Sequence, residues 1–276
     1  MNHTFLACGL ATYVRSGDGK ILWEYPHASR DGWALGRGRY LLALNRGQKY
    51  AGGAAAEIDS AGRTLFEFLG TQDEVNTVQD IGHGRVLLTE AGKNPRLLEV
   101  EKKTGKVVFE LKLDAQTKDT HLQTRMSRKL KNGNYLVPYL LDQVVREWTP
   151  QGKLVWEAKT PHWAFTAIRL DNGNTLVGCT LGNLVVEFDP KGEIVWQVKN
   201  EELPGRPIND ACGVQRLPNG NTVITSHHAG KNDVKLTEVT RDKQIVWTHR
   251  DQAMPGIHHF QILDTNGVEV KDRPLR

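Results

Sequence analysis

The sequence predicts an all-β protein in which one four-stranded antiparallel unit of about 40 residues recurs six times. Two short signatures alternate along the chain and support this prediction. The first is an apolar run that follows a tight turn and ends in an aromatic residue, at Trp23, Phe66, Phe109, Trp156, Trp196 and Trp247. These residues are 43, 43, 47, 40 and 51 positions apart, so one structural unit fits between each pair.

The second signature is a glycine turn that opens with an apolar residue, at Leu35, Ile81, Leu130, Leu170, Leu217 and Leu263. Asn-Gly between two β-branched runs is a strong hairpin signal, because both residues tolerate the positive φ of tight turns. Residues 162–200 then contain four strands in a meander, which is the blade of a β-propeller. A sandwich would not repeat the two signatures in strict alternation. No segment has sustained helical periodicity, so we expect almost no helix.

Five blades are complete within the chain, at residues 30–70, 76–113, 122–159, 162–200 and 209–250. The two ends supply the missing parts of a sixth blade. Residues 4–26 match the last three strands of a blade, and residues 257–268 match the first strand. Because each blade buries its faces only against its neighbours, the ring must close to leave no open edge. We therefore predict a six-bladed propeller, closed by both termini, as one domain over residues 1–276.

Composition excludes several other classes of protein. The chain is 39% hydrophobic and 25% charged, as is ordinary for a soluble globular protein. Its 36 basic and 32 acidic residues give a net charge of +4, and nucleic-acid binding needs a more concentrated basic patch. No apolar run approaches the roughly 18 residues of a membrane span. The three scattered cysteines exclude a disulfide scaffold or a zinc ribbon.

The stretch from Glu187 to Trp196 resembles the blade repeat of the PQQ-like (quinoprotein-type) β-propellers. In that family a D-x-x-G-K-x-x-W stretch closes each blade, and its Trp docks against the neighbouring blade. The resemblance covers the chain in register, although Phe66 and Phe109 replace Trp. It implies that Trp23, Trp156, Trp196 and Trp247 are mostly buried between blades. Together with the L-x-N-G-N-T pattern, the chain is also similar to arylsulfotransferase-like propellers, which use a channel histidine for sulfuryl transfer.

The resemblance does not extend to the PQQ cofactor. Quinoprotein dehydrogenases commonly have eight blades, vicinal cysteines and a calcium site. This chain predicts six blades, and Cys8, Cys179 and Cys212 are never adjacent. We therefore expect no cofactor. Propellers with this repeat are often exported in bacteria, and the chain begins inside a strand with no room for a signal peptide. An exported bacterial protein, with Met1 following a removed leader, is favoured over a cytoplasmic one.

Candidate site residues follow from the register of the repeat. Propellers place ligands at one mouth of the central channel, where the chain enters each innermost strand. The residues five positions before each glycine turn are Arg30, Asn76, Arg125, Phe165, Cys212 and His258. Those eight positions before it are His27, Asp73, Leu122, His162, Asn209 and Pro255. We predict a ligand site formed from these columns and the residues beside them: His27, Arg30, Asn76, His121, Arg125, His162, Trp163, Asn209, Asp210 and His258.

The residue types in this set suit a small molecule. Histidine titrates near neutrality, arginine binds anions through two parallel hydrogen bonds, and Trp163 can stack on a sugar or aromatic ring. The alternative is that a polar channel lining only satisfies buried strand ends. We predict no metal site, because adjacent residues on a strand face opposite sides, so the doublets at His227 and His258 offer one ligand each. Cys212 fits a small buried thiol better than a nucleophile.

Two classes of function remain open. The first is a binding or scaffold propeller for a small molecule, a saccharide or a protein partner. The second is an enzyme that acts on a small anionic or saccharide substrate through the channel histidines. The first is favoured, because no nucleophile, base and orienting group can be assigned from the sequence. A pocket in which Arg125, His162 and His258 converge would favour an enzyme, and a channel filled by Phe165 and Trp163 would favour a scaffold.

Overall fold

The computed structural model describes residues 1–270 and 276, and these form six antiparallel sheets in a propeller ring. The amino-terminal strands are β1 (His3–Gly9), β2 (Thr12–Arg15) and β3 (Ile21–Tyr25). Blade 1 contains β4 (Ser29–Gly36), β5 (Arg39–Leu44), β6 (Ala54–Asp59) and β7 (Thr64–Leu69). Blade 2 contains β8 (Glu74–Gly82), β9 (Arg85–Ala91), β10 (Arg96–Glu101) and β11 (Val107–Lys112).

The remaining blades repeat this arrangement. Blade 3 contains β12 (Arg128–Lys129), β13 (Tyr135–Tyr139), β14 (Val144–Trp148) and β15 (Leu154–Lys159). Blade 4 contains β16 (Ala164–Arg169), β17 (Thr175–Cys179), β18 (Leu184–Phe188) and β19 (Ile194–Lys199). Blade 5 contains β20 (Val214–Arg216), β21 (Thr222–Thr225), β22 (Val234–Val239) and β23 (Ile245–Arg250). The chain ends with β24 (Ile257–Thr265) and β25 (Val268–Glu269).

The closing blade is shared between the two ends of the chain. β1 pairs antiparallel with β24, from His3 opposite Thr265 to Gly9 opposite Ile257. The strand order in this sheet is β25-β24-β1-β2-β3, and the other five sheets have four strands each. The predicted fold class and the closure by both termini are thus confirmed. The short β25 is additional, because the chain turns back at Asn266 and Gly267 and pairs once more with β24.

The glycine turns have the predicted chemistry. At the turn after β16, Leu170 N donates to Asn174 O at 2.8 Å and Gly173 N donates to Leu170 O at 3.0 Å. Gly173 has a φ of 87°, which only glycine adopts without strain. The helical content is also as expected, since the described residues contain only two 3₁₀ turns, Thr120–Leu122 and Asn200–Glu202. Within these residues no helix has the length and apolarity that a membrane span requires.

The aromatic residues at the third position of the outermost strands contact the following blade. Trp196 Nε1 donates to Arg241 O of blade 5 at 2.7 Å, and Trp156 Nε1 donates to Pro190 O of blade 4 at 3.1 Å. Trp23 stacks on Tyr40 with ring centroids 3.9 Å apart. The expectation that these tryptophans are mostly buried is confirmed most fully for Trp196, which is 9% exposed, and the other three pack against buried core residues of the blade interfaces. Trp23, Trp156 and Trp247 are half-buried, because one face of each outermost strand is solvated.

A second interblade contact was not predicted from the sequence. A buried glutamate lies nine or ten positions before the aromatic residue in five of the blades, at Glu57, Glu99, Glu147, Glu187 and Glu238. Each one binds a basic side chain of the following blade, and these partners are Lys102, Lys129, Arg169, Arg216 and His3. Glu187 Oε2, for example, lies 2.9 Å from Arg216 Nη2, and Arg241 Nη1 donates to the same oxygen.

Truncation of Trp196 should weaken the interface between blades 4 and 5. We expect Trp196→Ala to reduce the free energy of unfolding by about 3–5 kcal/mol, as for other large buried aromatic residues. Trp196→Phe should cost less, because it keeps most of the apolar contact and loses the hydrogen bond to Arg241 O. Urea denaturation followed by circular dichroism measures both. An unchanged midpoint for Trp196→Ala would contradict the docking role.

The interface glutamates should make the free energy of unfolding depend on pH in the acidic range. Burial alone would raise the pKa of Glu187, but hydrogen bonds from Asn174, Arg241 and Arg216 outweigh it and lower this pKa. A lowered pKa stabilises the fold above the ordinary glutamate value of about 4.3, and the contribution is lost as the pH falls through the folded-state value.

Glu187→Gln should therefore destabilise the protein at pH 7, by roughly 1–3 kcal/mol. The difference from the wild type should shrink below about pH 4. Denaturation curves at several pH values test this, with the exposed Glu193→Gln as a control that keeps the wild-type behaviour. A difference that stays constant down to pH 2 would show that the charge of Glu187 has no such role.

Candidate functional site

A cavity of about 290 Å³ lies at the mouth of the channel where the innermost strands begin. We call it the mouth cavity. Its walls come from blades 1, 3, 4 and 5 and from the closing blade, through the strand entries and the loops that follow the second strands. Six of the ten predicted site residues line it: Arg30, His121, Arg125, Trp163, Asp210 and His258. The cavity is also lined by Cys212, His227 and His228.

The other four predicted residues lie outside this lining. His27 packs between Tyr25 and Tyr50, with ring centroids 5.3 and 5.7 Å away. His162 accepts a hydrogen bond from the backbone N–H of Trp163. The side chains of two asparagines donate hydrogen bonds to backbone carbonyl oxygens: Asn76 to Thr124 O at 3.2 Å, and Asn209 to His228 O at 3.1 Å.

An apolar cluster forms the floor of the mouth cavity. Met126, Leu140, Phe165 and Cys212 are buried together, and Trp163 packs against them. The Phe165 ring is perpendicular to the His258 ring at 4.6 Å between centroids, and the Arg125 guanidinium lies 5.8 Å from its centre. Phe165 thus contacts both His258 and Arg125 from the apolar cluster. Arg125 and His258 both line the mouth cavity, and His162 is not among its lining residues.

Arg125 is the principal charged group of the cavity wall. Arg125 is only 1% exposed, and its guanidinium donates to the carbonyl oxygens of Thr124, at 2.9 Å, and of His121. Its Nε has no hydrogen-bond partner, and it forms no ion pair with a carboxylate of the described residues. Burial, with the nearby positive charge of Arg30, lowers the pKa of Arg125 to about 9. The guanidinium is still charged at neutral pH.

Glu74 binds Arg30, the second arginine of the cavity lining. Its carboxylate accepts from Arg30 Nη2 at 2.9 Å and lies 2.9 Å from His121 Nδ1. Burial acts to raise the pKa of Glu74, but the bond to His121 and the charges of Arg30 and Arg125 lower it to about 2. Glu74 is therefore ionised and is hydrogen-bonded to Arg30 and His121, and within the described residues Arg125 has no ion pair of its own.

Burial favours the neutral form of two histidines of the cavity, His227 and His258. Burial lowers the pKa of His258 well below its ordinary value, and the neighbouring His227 and Arg30 act in the same direction. Burial also lowers the pKa of His227, whose ring is 4.6 Å from that of His258. A neutral imidazole can accept a proton or bind a metal ion.

The Asp210 carboxylate lies close to both His227 and His228. The Asp210 carboxylate oxygen Oδ2 lies 2.9 Å from His228 Nδ1, and one ligand atom from each of Asp210, His227 and His228 lies within 4.8 Å of the others. The reasoning that a doublet offers one histidine to a site is wrong here, because β21 ends at Thr225 and both residues lie in the following turn. It holds on β24, where His258 lines the mouth cavity and His259 does not.

His259 belongs to a charged cluster deeper in the channel, which the sequence did not indicate. Asp31 Oδ2 accepts from Arg128 Nη1 at 2.9 Å, and the Asp31 carboxylate lies 3.8 Å from the Arg276 guanidinium. Arg276 also contacts His259 Nδ1 at 2.8 Å and lies over the Trp33 ring. These contacts join residues that are up to 245 positions apart, so no local pattern could have revealed them.

The structural comparisons identify other propellers. A protein of unknown function from Bacteroides caccae is 25% identical, with a TM-score of 0.82 over 94% of this chain and 98% of that chain. Virginiamycin B lyase from Staphylococcus aureus is 15% identical, with a TM-score of 0.62 over 92% of this chain and 85% of that chain. Its catalytically inactive variant with quinupristin is 16% identical, with a TM-score of 0.64 over 91% and 84%. No family model and no curated protein matches the sequence.

The cysteines should be unreactive in the folded protein. All three are buried, and burial raises the pKa of Cys8 and Cys179 to about 12 and that of Cys212 well above its ordinary value. Because the thiolate is the reactive form, we expect Ellman's reagent to detect no thiol in the native state and all three after denaturation. Rapid labelling of one native thiol, abolished by Cys212→Ala, would contradict this assignment.

Proposed function

We propose that this propeller is a binding protein for a small molecule with an anionic group, held in the mouth cavity by Arg125. The observation that supports this most strongly is the burial of Arg125 without a carboxylate partner among the described residues. An unpaired buried charge is costly, and an anion in the cavity would compensate it. Guanidinium groups bind carboxylate, sulfate and phosphate groups through parallel hydrogen bonds.

The dimensions and the walls of the cavity suggest the rest of the ligand. A volume of about 290 Å³ is at the lower end of the range for ligand pockets, which favours a small molecule over a macromolecular partner. Trp163 and Phe165 offer apolar surface beside Arg125, against which a sugar or aromatic ring can pack. We therefore infer a ligand that carries its anionic group next to a ring.

The proposal includes the PQQ-like character of the blades, but without the PQQ cofactor. The backbone N–H groups of Lys191 and Glu193 donate to Asp189 Oδ1 in the turn before Trp196, and Trp196 docks on the following blade. The docking of Trp196 matches the role that the repeat gives to its tryptophan. The mouth cavity contains no adjacent cysteines, and Cys212 is its one cysteine among the described lining residues.

Catalysis is the second candidate, and the neutral His258 supports it. A buried neutral imidazole next to an anion-binding arginine is suited to act as a general base. Two of the structural neighbours are lyases, and one of the structures is of a catalytically inactive variant with a bound compound. In this candidate the ligand of Arg125 is a substrate, and mass spectrometry after incubation would detect its conversion.

A ligand screen tests the binding proposal. Thermal shift with phosphate esters, sulfate esters and carboxylates of sugars and aromatic compounds should identify a ligand that stabilises the wild type. At 100 times the dissociation constant it should add about 2.7 kcal/mol. Arg125→Gln should weaken the ligand by about 10- to 100-fold, as the loss of charged hydrogen bonds does.

The matched control is Arg37→Gln, which removes the same charge from an exposed turn at the opposite end of the channel. It should bind as the wild type does. Circular dichroism verifies that Arg125→Gln is folded. A ligand that binds Arg125→Gln and the wild type with equal affinity would refute the assignment of Arg125.

A further inference from the structure

We propose that Asp210, His227 and His228 form a site for a divalent transition metal ion of the zinc type, at the edge of the mouth cavity. This inference does not depend on the proposed anion binding, because it rests on different side chains. One ligand atom of each residue lies within 4.8 Å of the other two. The three residues come from two loops of one blade, the entry to β20 and the turn after β21.

The two loops are fixed to one another by backbone hydrogen bonds. His227 N donates to Asp210 O at 3.1 Å, and His228 N donates to Asn209 O at 3.3 Å. The Asp210 carboxylate is oriented by the backbone N–H of Leu181, which donates to Oδ1 at 2.9 Å. This leaves Oδ2 directed at His228 Nδ1, 2.9 Å away. Such outer contacts orient the ligands of metal sites.

The backbone of the histidine turn is also held from the closing blade. A Cβ atom at Gly256 would lie 1.8 Å from His227 O, so only glycine allows this approach. The Asp210 backbone has a φ of 72°, a left-handed conformation that is unfavourable for most side chains and that aspartate tolerates better. The close approach of Gly256 and the left-handed backbone of Asp210 both fix the loops that carry the three side chains. Neither feature lies within a strand.

The ligand chemistry favours zinc and similar ions over magnesium or calcium. Two imidazoles and one carboxylate suit zinc, copper, nickel and iron, whereas magnesium and calcium prefer oxygen ligands alone. His227 is available, since its Nδ1 is buried and has no hydrogen-bond partner in the part of the chain that the structure describes.

The ligand atoms, which lie within 4.8 Å of one another, would move to the spacing of a zinc site when the ion binds. Ligand atoms of a tetrahedral zinc site are about 3.4 Å apart, which follows from metal–ligand distances of about 2.1 Å. The side chain of His228 is 60% exposed, so its ring can rotate towards the ion without displacing packed neighbours. Three protein ligands leave one coordination position open. Because all three residues line the mouth cavity, this position would face the space beside Arg30 and Arg125.

Isothermal titration calorimetry with zinc chloride tests the site directly. The full chain is first treated with a chelator and dialysed, and we expect binding of one zinc ion per chain. His228→Gln should weaken binding at least tenfold without affecting folding, because the side chain is exposed. Asp210→Asn should do the same. Magnesium chloride at the same concentration should give no heat of binding.

Two controls separate this site from alternatives. His83→Gln removes an exposed histidine from a turn at the opposite end of the channel and should bind zinc as the wild type does. Arg125→Gln should also retain zinc binding, so a failure of the anion proposal does not imply a failure of the metal site. Cobalt(II) should give the visible absorption of a four-coordinate site in the wild type and lose it in His228→Gln. No stoichiometric zinc binding, or equal binding by His228→Gln and the wild type, would overturn the proposal.

Discussion

The structure depends on one constraint, which is that each blade can bury its two faces only against the blades beside it. Five of the six interfaces meet this constraint with the same pair of contacts, an aromatic residue on the outermost strand and a buried glutamate that binds a basic side chain of the next blade. Glu187 with Arg216 and Trp196 with Arg241 show both contacts at one interface. The pairing of β1 with β24 then closes the ring and leaves no blade without a neighbour.

Closure has a consequence for chemistry, because it brings the strand entries of separate blades to one mouth. Arg30, Arg125 and His258 are far apart in sequence and line the same cavity. Glu74 is hydrogen-bonded to Arg30 and His121, and within the described residues Arg125 has no ion pair of its own. The ring thus supplies a rigid frame, and the few polar residues at its mouth determine what it can bind. This is why the repeat predicts the architecture and not the ligand.

Local turn chemistry made the fold predictable, and long-range contacts made part of the site unpredictable. The position five residues before each turn lies in the innermost strand or within three residues of its start, so the turn fixes its register, and Arg125, Phe165 and His258 line the mouth cavity. Asn76, at the same position in blade 2, binds Thr124 O instead. The position eight residues before each turn lies in loops of different length, and His27 and His162 consequently point elsewhere. The contact of Asp210 with His227 and His228 could not be predicted without knowing that β21 ends at Thr225. The cluster around Asp31 could not be predicted without the closed ring, because its residues come from different blades.

The most direct test of the account is a crystal structure of the protein soaked with selenate, whose anomalous scattering locates the anion. We expect an anomalous peak inside the mouth cavity, with selenate oxygens within hydrogen-bond distance of the Arg125 guanidinium. The same peak should be absent from crystals of Arg125→Gln. Selenate found only at exposed lysines, with the cavity beside Arg125 free of anomalous signal, would contradict the claim that this mouth is an anion-binding site.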